Sequence, residues 1–516
     1  MKLATRPSAG VWARLVFVLV FVWAVSRFWH PYYGFTLLLQ NDTASAQQVV
    51  PALRDAPVFV HPGPGSYDGF FYAQIATDPS LRTPELREVV DDLGYRARRI
   101  LLSVAAWAAA GGDPVGAVRV YAWINILVWL ALAAVLWRIL PAVGWREHVA
   151  WVGILAGAGA LLSVRLALTD LPALLLLTAG CALAESGRIR GAGASIGLAA
   201  LCRETSLLGA VALLPRRRPL ADGRTVTALF LAAGPLAVWL AFLLWRLGAS
   251  GAGQGNFGAP LVGWWGKLIS LGAAQVDPHY RALAVTALLG HLALALQAGY
   301  LLWRRDWSCP WWRLGAVYVG LMLLLGPAVW GEDLPGAAVR VLLPVTLSFN
   351  VIAARRRAGW PWLIGGNLAV LGGVVALWLV QSDPRELAAG RAAGTGYVVV
   401  VDQRWYAPER GRNRTWAWCS TRGGMEIRTW PQTAHDVQVR IALRAHAPGT
   451  IEIRDDRRCL WRGPVGQELR WVTLPPMPTG TGRLRLELAS DAPPLLESAA
   501  PGARALGFAV YGVELE

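Results

Sequence analysis

Residues 192–214 read AGASIGLAALCRETSLLGAVALL, an apolar run broken near its middle by Arg203 and Glu204. A charge at the centre of a bilayer costs about 2.5–3.5 kcal/mol on insertion scales, so two side by side argue against a plain crossing helix. Suppose the run enters and returns as two half-helices around Cys202-Arg203-Glu204-Thr205. Then Arg138/Arg146, Arg188/Arg190, Arg216-Arg217-Arg218, Arg304/Arg305 and Arg355-Arg356-Arg357 all lie in loops on one side. A single crossing would put the last two triplets on opposite sides. The excess of basic residues in cytoplasmic loops selects the re-entrant version. Arg203 and Glu204 then either pair with each other or a neighbouring helix, or Arg203 offers its planar fork to an anionic headgroup.

The surrounding sequence is of one kind with this run. The 516 residues are 55% hydrophobic and 16% charged, with repeated apolar stretches near span length, which is a polytopic membrane composition. A first span, Val11–Trp29, follows a short basic N-terminus placed in the cytoplasm. Further spans are expected at about Ala117–Arg138, Val149–Arg165, Leu171–Glu185, Thr225–Trp245, Ala282–Trp303, Leu314–Trp330, Val339–Ala353 and Pro361–Val380. That is about ten spans plus the two half-helices of the re-entrant pair. The short apolar stretch from Arg99 to Gly112 reads as a helix on or dipping into the outer leaflet. Residues 30–98, the 248–281 loop, the Gly331–Arg340 loop and the C-terminus all fall outside. The net charge of +16 does not make this a nucleic-acid binder: only Lys2 and Lys267 of its 49 basic residues are lysine, and many arginines sit between spans.

The first outside loop is long enough to carry function. It contains Tyr67-Asp68-Gly69-Phe70-Phe71-Tyr72, with one carboxylate among aromatics and a glycine. Asp68 either caps a short helix from Phe70 to Ile75 or, partly dried at a membrane surface, acts as an acid or base. Further along, Asp91-Asp92-Leu93-Gly94-Tyr95-Arg96-Ala97-Arg98-Arg99 sets three arginines at the same face. They suit lipid phosphates, whether of the bilayer or of a lipid-linked substrate. Adjacent acids do not make a D-x-D pair, so no metal is inferred, although a divalent ion is not excluded. Asp170 and Arg340 project from the same side, and Asp170 before Leu171-Pro172 also suits a helix start. No nucleotide-binding or metalloprotease motif occurs in a supporting context, and no cofactor is expected.

From about Tyr397 the period of the sequence changes to two. Val437–Ile441, Thr450–Arg454, Leu484–Leu488 and Phe508–Leu515 are short alternating segments divided by turn residues. They predict an all-β sandwich over 397–516, joined by a linker at 381–396 to a transmembrane part at 1–380. Trp416 and Trp418 either stack on sugar rings or fill the sandwich core. Cys419 and Cys459 can pair if this part is extracytoplasmic; Cys181, Cys202 and Cys309 read as packing residues.

Tyr67-Asp68-Gly69-x-Phe71-Tyr72, Asp91-x-x-x-Tyr95-Arg96-x-x-Arg99-Ile100-Leu101, Thr169-Asp170-x-Pro172 and Leu201-x-Arg203-Glu204-Thr205 occur in that order. The set, over roughly residues 10–380, resembles bacterial GT-C-fold membrane glycosyltransferases that use polyprenyl-phosphate sugars to build cell-surface glycopolymers. The resemblance implies a bacterial inner-membrane enzyme that moves a hexose or pentose from a polyprenyl-phosphate donor to a glycan or glycolipid acceptor. Asp68 would be the catalytic base. Arg96, Arg99 and Arg203 would receive the donor phosphate, with Tyr67, Tyr72, Asp91, Tyr95, Asp170, Glu204 and Arg340 in support. Phe70 and Ser103 depart from the pattern, which commonly has a polar residue, often Gln, at the first position and Pro at the second. A lipid or glycolipid transporter, or a non-catalytic glycan-assembly protein, are the rival classes.

Overall fold

The fold is that of a computed structural model. It describes all residues except 1–8, 44–47, 64–65, 215–221, 249–252, 254, 275–280, 332–335, 379, 393, 413, 432–435, 479–481 and 501. The chain divides into two compact units. A helical one comprises Met1–Phe28, Leu38–Ala56 and Gly65–Val380; a β-rich one comprises Trp29–Leu37, Pro57–Pro64 and Gln381–Glu516.

In the helical unit, five helices among the described residues are long and apolar enough to cross a membrane: Ala9–Ser26, Pro114–Ile139, Gly223–Leu247, Arg281–Trp303 and Trp360–Trp378. A bent pair, Trp145–Leu155 and Ala158–Arg165, makes a sixth if it counts as one span. The other expected spans are occupied by shorter helices, Asp170–Glu185, Pro310–Leu324 and Leu343–Arg355. The short apolar stretch from Arg99 to Gly112 forms the helix Leu101–Ala109. The 248–281 stretch departs from its expected character. It is not loop throughout but contains the helix Val262–Ala274, whose central Lys267 had masked an otherwise apolar pattern.

The stretch at 192–214 is two legs. An α-helix runs Ile189–Cys202, Arg203 is extended (φ −156°, ψ 123°), and a 3-10 helix runs Glu204–Leu213. At about 1.5 and 2.0 Å per residue the legs are each roughly 20 Å long. They go out and back. Arg203 at the tip pairs with Asp170, the first residue of Asp170–Glu185. At the far end of that helix Glu185 accepts from Trp311 and Arg355, and neighbouring Arg313 donates to the carbonyls of Ala212 and Leu214. The same far end gathers Arg356 with Asp306, Arg146 with the carbonyl of Ala358, and Arg14 with those of Leu140 and Glu147. The Arg216–Arg218 triplet lies outside the described residues.

Two glycines let the outgoing leg lie against Gly223–Leu247. A Cβ at Gly193 would collide with the carbonyl of Ala228, and one at Gly197 with that of Leu231. This is the small-xxx-small packing by which membrane helices approach closely.

The β-rich unit is two antiparallel sheets over one core. One sheet has six strands in the order Cys459–Val465, Gly449–Arg454, Arg483–Ser490, Arg422–Trp430, Thr395–Val401, Glu386–Ala392. The other has five: Arg470–Thr473, Val439–Ala445, Phe508–Leu515, Thr415–Cys419, Glu409–Arg410. Val399, Ile427, Ile453 and Leu488 of the first meet Ile441, Leu443, Val510 and Val513 of the second in the buried core. Residues 381–396 are not a plain linker, because Glu386–Ala392 is an edge strand; its Ala and Gly content carries little β signal. Cys419 and Cys459 are free thiols rather than a disulfide. They stand in different sheets, Cys419 buried beside the carbonyl of Arg404 and Cys459 exposed on an edge strand.

Candidate active site

Asp68 opens the helix Asp68–Ile75, with extended Tyr67 before it. Gly69 is required there, since a Cβ would run into the carbonyl of Leu166. The Asp68 carboxylate caps nothing: it makes a 2.6 Å ion pair with Arg96. Arg96 lies on the one-turn helix Leu93–Arg96, which Asp92 caps by accepting from the Tyr95 amide at 2.7 Å. Asp91 is thereby left to bind Arg96 from the other side, in a fork of 2.9 and 2.6 Å. One guanidinium thus bridges two carboxylates.

Three residues on, Arg99 is buried and donates to the Tyr72 hydroxyl at 2.7 Å, the Tyr95 hydroxyl at 3.1 Å and the Glu204 carboxylate at 3.1 Å. Glu204 follows directly on Arg203 at the tip of the two legs. Arg203 turns the other way, to Asp170, and Arg340 reaches the second oxygen of Asp170 at 3.5 Å. Arg340 also donates to the Tyr67 hydroxyl, which returns the chain of contacts to the residue before Asp68. Here one carboxylate bridges two guanidiniums.

Eleven residues picked from the sequence are therefore linked at one end of the helical unit: Tyr67, Asp68, Tyr72, Asp91, Tyr95, Arg96, Arg99, Asp170, Arg203, Glu204 and Arg340. Arg203 and Glu204 do not pair with each other; each reaches a separate element. Burial pushes Asp91 toward the neutral form, but the hydrogen bonds and charge of Arg96 outweigh it and hold the carboxyl below its ordinary value. Burial likewise works against the charge on Arg96, and Asp91 and Asp68 reverse that, raising its pKa.

One donor in this array is unspent. The Nε–H of Arg203 is buried and finds no acceptor among the described residues. A buried N–H without a partner is rare and calls for an explanation. Nearby supports had no sequence signal because they sit inside apolar runs: Tyr318 donates to the carbonyl of Thr205, and Trp239 to that of Ala97. Ser103 donates to the carbonyl of Tyr72 at 2.9 Å, so its hydroxyl seats the Asp68 helix. Among the described residues there is no group of three or more His, Cys, Asp or Glu able to hold a metal ion.

Trp416 and Trp418 belong to the β-rich unit. Trp418 is buried with Leu506 and Ala509, and Trp416 stacks on Tyr511 with centroids 5.5 Å apart. No protein-family model matches the chain, and no curated protein matches it. What is established is a helical unit with several apolar helices able to cross a membrane, a partly buried carboxylate–arginine array at one end, and a C-terminal β region.

Proposed function

We propose that the chain is a GT-C-type membrane glycosyltransferase of about ten spans plus the re-entrant pair. It moves a sugar from a polyprenyl-phosphate donor to an extracytoplasmic glycan or glycolipid acceptor. The observation that carries this reading is Arg203: its terminal nitrogen is locked to Asp170 while its Nε–H has no acceptor among the described residues. A phosphate oxygen is the acceptor that such a clamped guanidinium binds best. The concentration of Arg14, Arg146, Arg355 and Arg356 at the far end supports a cytoplasmic location for that end and an extracytoplasmic one for the array.

Asp68 is the base. Its carboxylate takes the proton of the acceptor hydroxyl as that oxygen bonds to the sugar C1. The bond from C1 to the phosphate oxygen breaks with its electron pair, and the anomeric centre inverts. Arg203, with Arg340 beside it, takes up the charge on the departing lipid phosphate. This modifies the roles expected from the resemblance, which gave the phosphate to Arg96, Arg99 and Arg203. Arg96 is held between Asp68 and Asp91, and Arg99 is occupied by Glu204 and two tyrosines. These two position the base rather than the leaving group. An ion-paired carboxylate is a poor base, so the Asp91 fork matters: it holds Arg96 when Asp68 turns to the acceptor.

The test is reconstitution of the full chain with a radiolabelled polyprenyl-phosphate sugar and a glycan acceptor. Labelled product is expected from the parent, and Asp68→Asn should lower the rate by about 10²–10⁴. Movement of label across the membrane without a new glycosidic bond would establish a transporter instead.

A further inference from the structure

A trough of about 700 Å³, within the size range of small-molecule sites, is lined by the five-stranded sheet together with residues 386–389 and Tyr397 of the six-stranded one. Its base is set by register. Trp471 stands opposite Ala442, which stands opposite Gly512, across three neighbouring strands. Neither Ala442 nor Gly512 has a side chain large enough to lift an indole. The Trp471 ring accordingly lies along the sheet, its far edge 3.3 Å from where a Cβ on Gly512 would be. It is nonetheless 41% exposed, and the Arg440 guanidinium sits over its ring at 5.2 Å from the centroid. The ladder slips between Val510 and Gly512, and the extra residue is Tyr511, which lines the trough with its ring braced on Trp416.

The charges at the edges are of two kinds. Glu514 is held by Arg440 at 3.3 Å and Glu386 by His30 at 3.4 Å. Arg410 and Arg414, on the hairpin of strands Glu409–Arg410 and Thr415–Cys419, line the trough, are exposed, and make no ion pair among the described residues. A part-exposed indole, a braced phenol and two uncommitted guanidiniums suit a ligand with flat apolar ring faces and an anionic group. A saccharide bearing carboxylates has both. A lipid surface fits worse, because insertion favours a projecting aromatic and Trp471 lies down on the sheet.

We propose that this trough binds an acidic saccharide, with Trp471 as the stacking platform, Tyr511 as its wall, and Arg410 and Arg414 as the carboxylate contacts. The proposal does not rest on the transfer reading. It also moves the sugar contacts expected at Trp416 and Trp418: the first acts as a brace, and the second is buried outside the sandwich core, in a small cluster with Leu506 and Ala509.

The experiment uses the full chain in lipid nanodiscs and measures calorimetric binding of a galacturonate hexamer and of cellohexaose. Binding of the galacturonate hexamer, weaker for cellohexaose and falling with salt, is expected. Trp471→Ala should weaken both by at least about tenfold, as loss of a central aromatic anchor does. Gly512→Val, which displaces the ring without removing it, should do the same. Arg410→Ala with Arg414→Ala, both exposed, should abolish the preference for galacturonate and the salt dependence while leaving the melting temperature unchanged. Absence of binding to either sugar, or binding indifferent to Trp471→Ala, would overturn the proposal. So would capture of phosphatidylglycerol vesicles through the two arginines with no galacturonate binding.

Discussion

Arg203 separates two roles that its neighbours share. Its contact with Asp170 fixes it, and its remaining N–H defines what it can receive. A charge-assisted hydrogen bond contributes about 1.5–3 kcal/mol, so Arg203→Ala should raise the donor KM roughly 10–100-fold in the reconstituted assay. Arg203→Lys should recover only part of that, lacking the fork. Asp91 offers a pH test. Its folded-state pKa lies below the ordinary 3.8, so its pairing with Arg96 stabilises the fold above that value and is lost as pH falls through the lower one. Asp91→Asn should therefore melt lower than the parent at pH 7, with the difference closing below about pH 3.8, followed by thermal unfolding in detergent. The Asp91-Asp92 pair also shows what a sequence can and cannot carry. That two acids precede an arginine-rich run is readable; that one caps a helix turn and the other forks onto Arg96 depends on backbone directions that residue types do not encode.

Among the elements, the two legs were the most legible, because charge inside an apolar run is costly and the loop arginines constrain the parity. Their packing was not read from the sequence. Gly193 and Gly197 share a helix face at the spacing that admits another helix, although the partner, Gly223–Leu247, could not be named from spacing. Gly197→Val should destabilise the protein by about 1–3 kcal/mol through overpacking, seen as a lower melting temperature in detergent. The helix Val262–Ala274 was hidden for the opposite reason: its flanks are polar and glycine-rich, and Lys267 breaks the apolar pattern, yet Lys267 is buried in the fold. Strand Glu386–Ala392 was hidden by composition, since alanines and a glycine gain β structure from their partner Thr395–Val401 and not from preference.

For the whole molecule, alternation located the C-terminal sheets but not their borrowed pieces. Trp29–Leu37 and Pro57–Pro64 belong to the β-rich unit, where Tyr33 and Phe59 meet edge-on with centroids 5.3 Å apart. Nothing local marks them, because their apolar residues read equally well as membrane-adjacent loop. A chain ending at residue 380 should keep measurable transfer in the reconstituted assay, since all eleven linked residues lie in the helical unit. It should also aggregate more readily, with Tyr33 and Phe59 deprived of their sheet. Complete loss of transfer with the helical unit intact would favour the assembly-protein reading.

The matched legs make a ruler of Arg203. Because both are anchored at the end where Glu185 and Arg313 sit, the depth of the guanidinium is a matter of residue count rather than residue identity. One alanine inserted between Ile189 and Cys202 would advance the tip by about 1.5 Å and swing it through about 100°. Substitutions along the legs should thus be far better tolerated than single-residue insertions or deletions, and chain variants that do change length there should do so in compensating pairs.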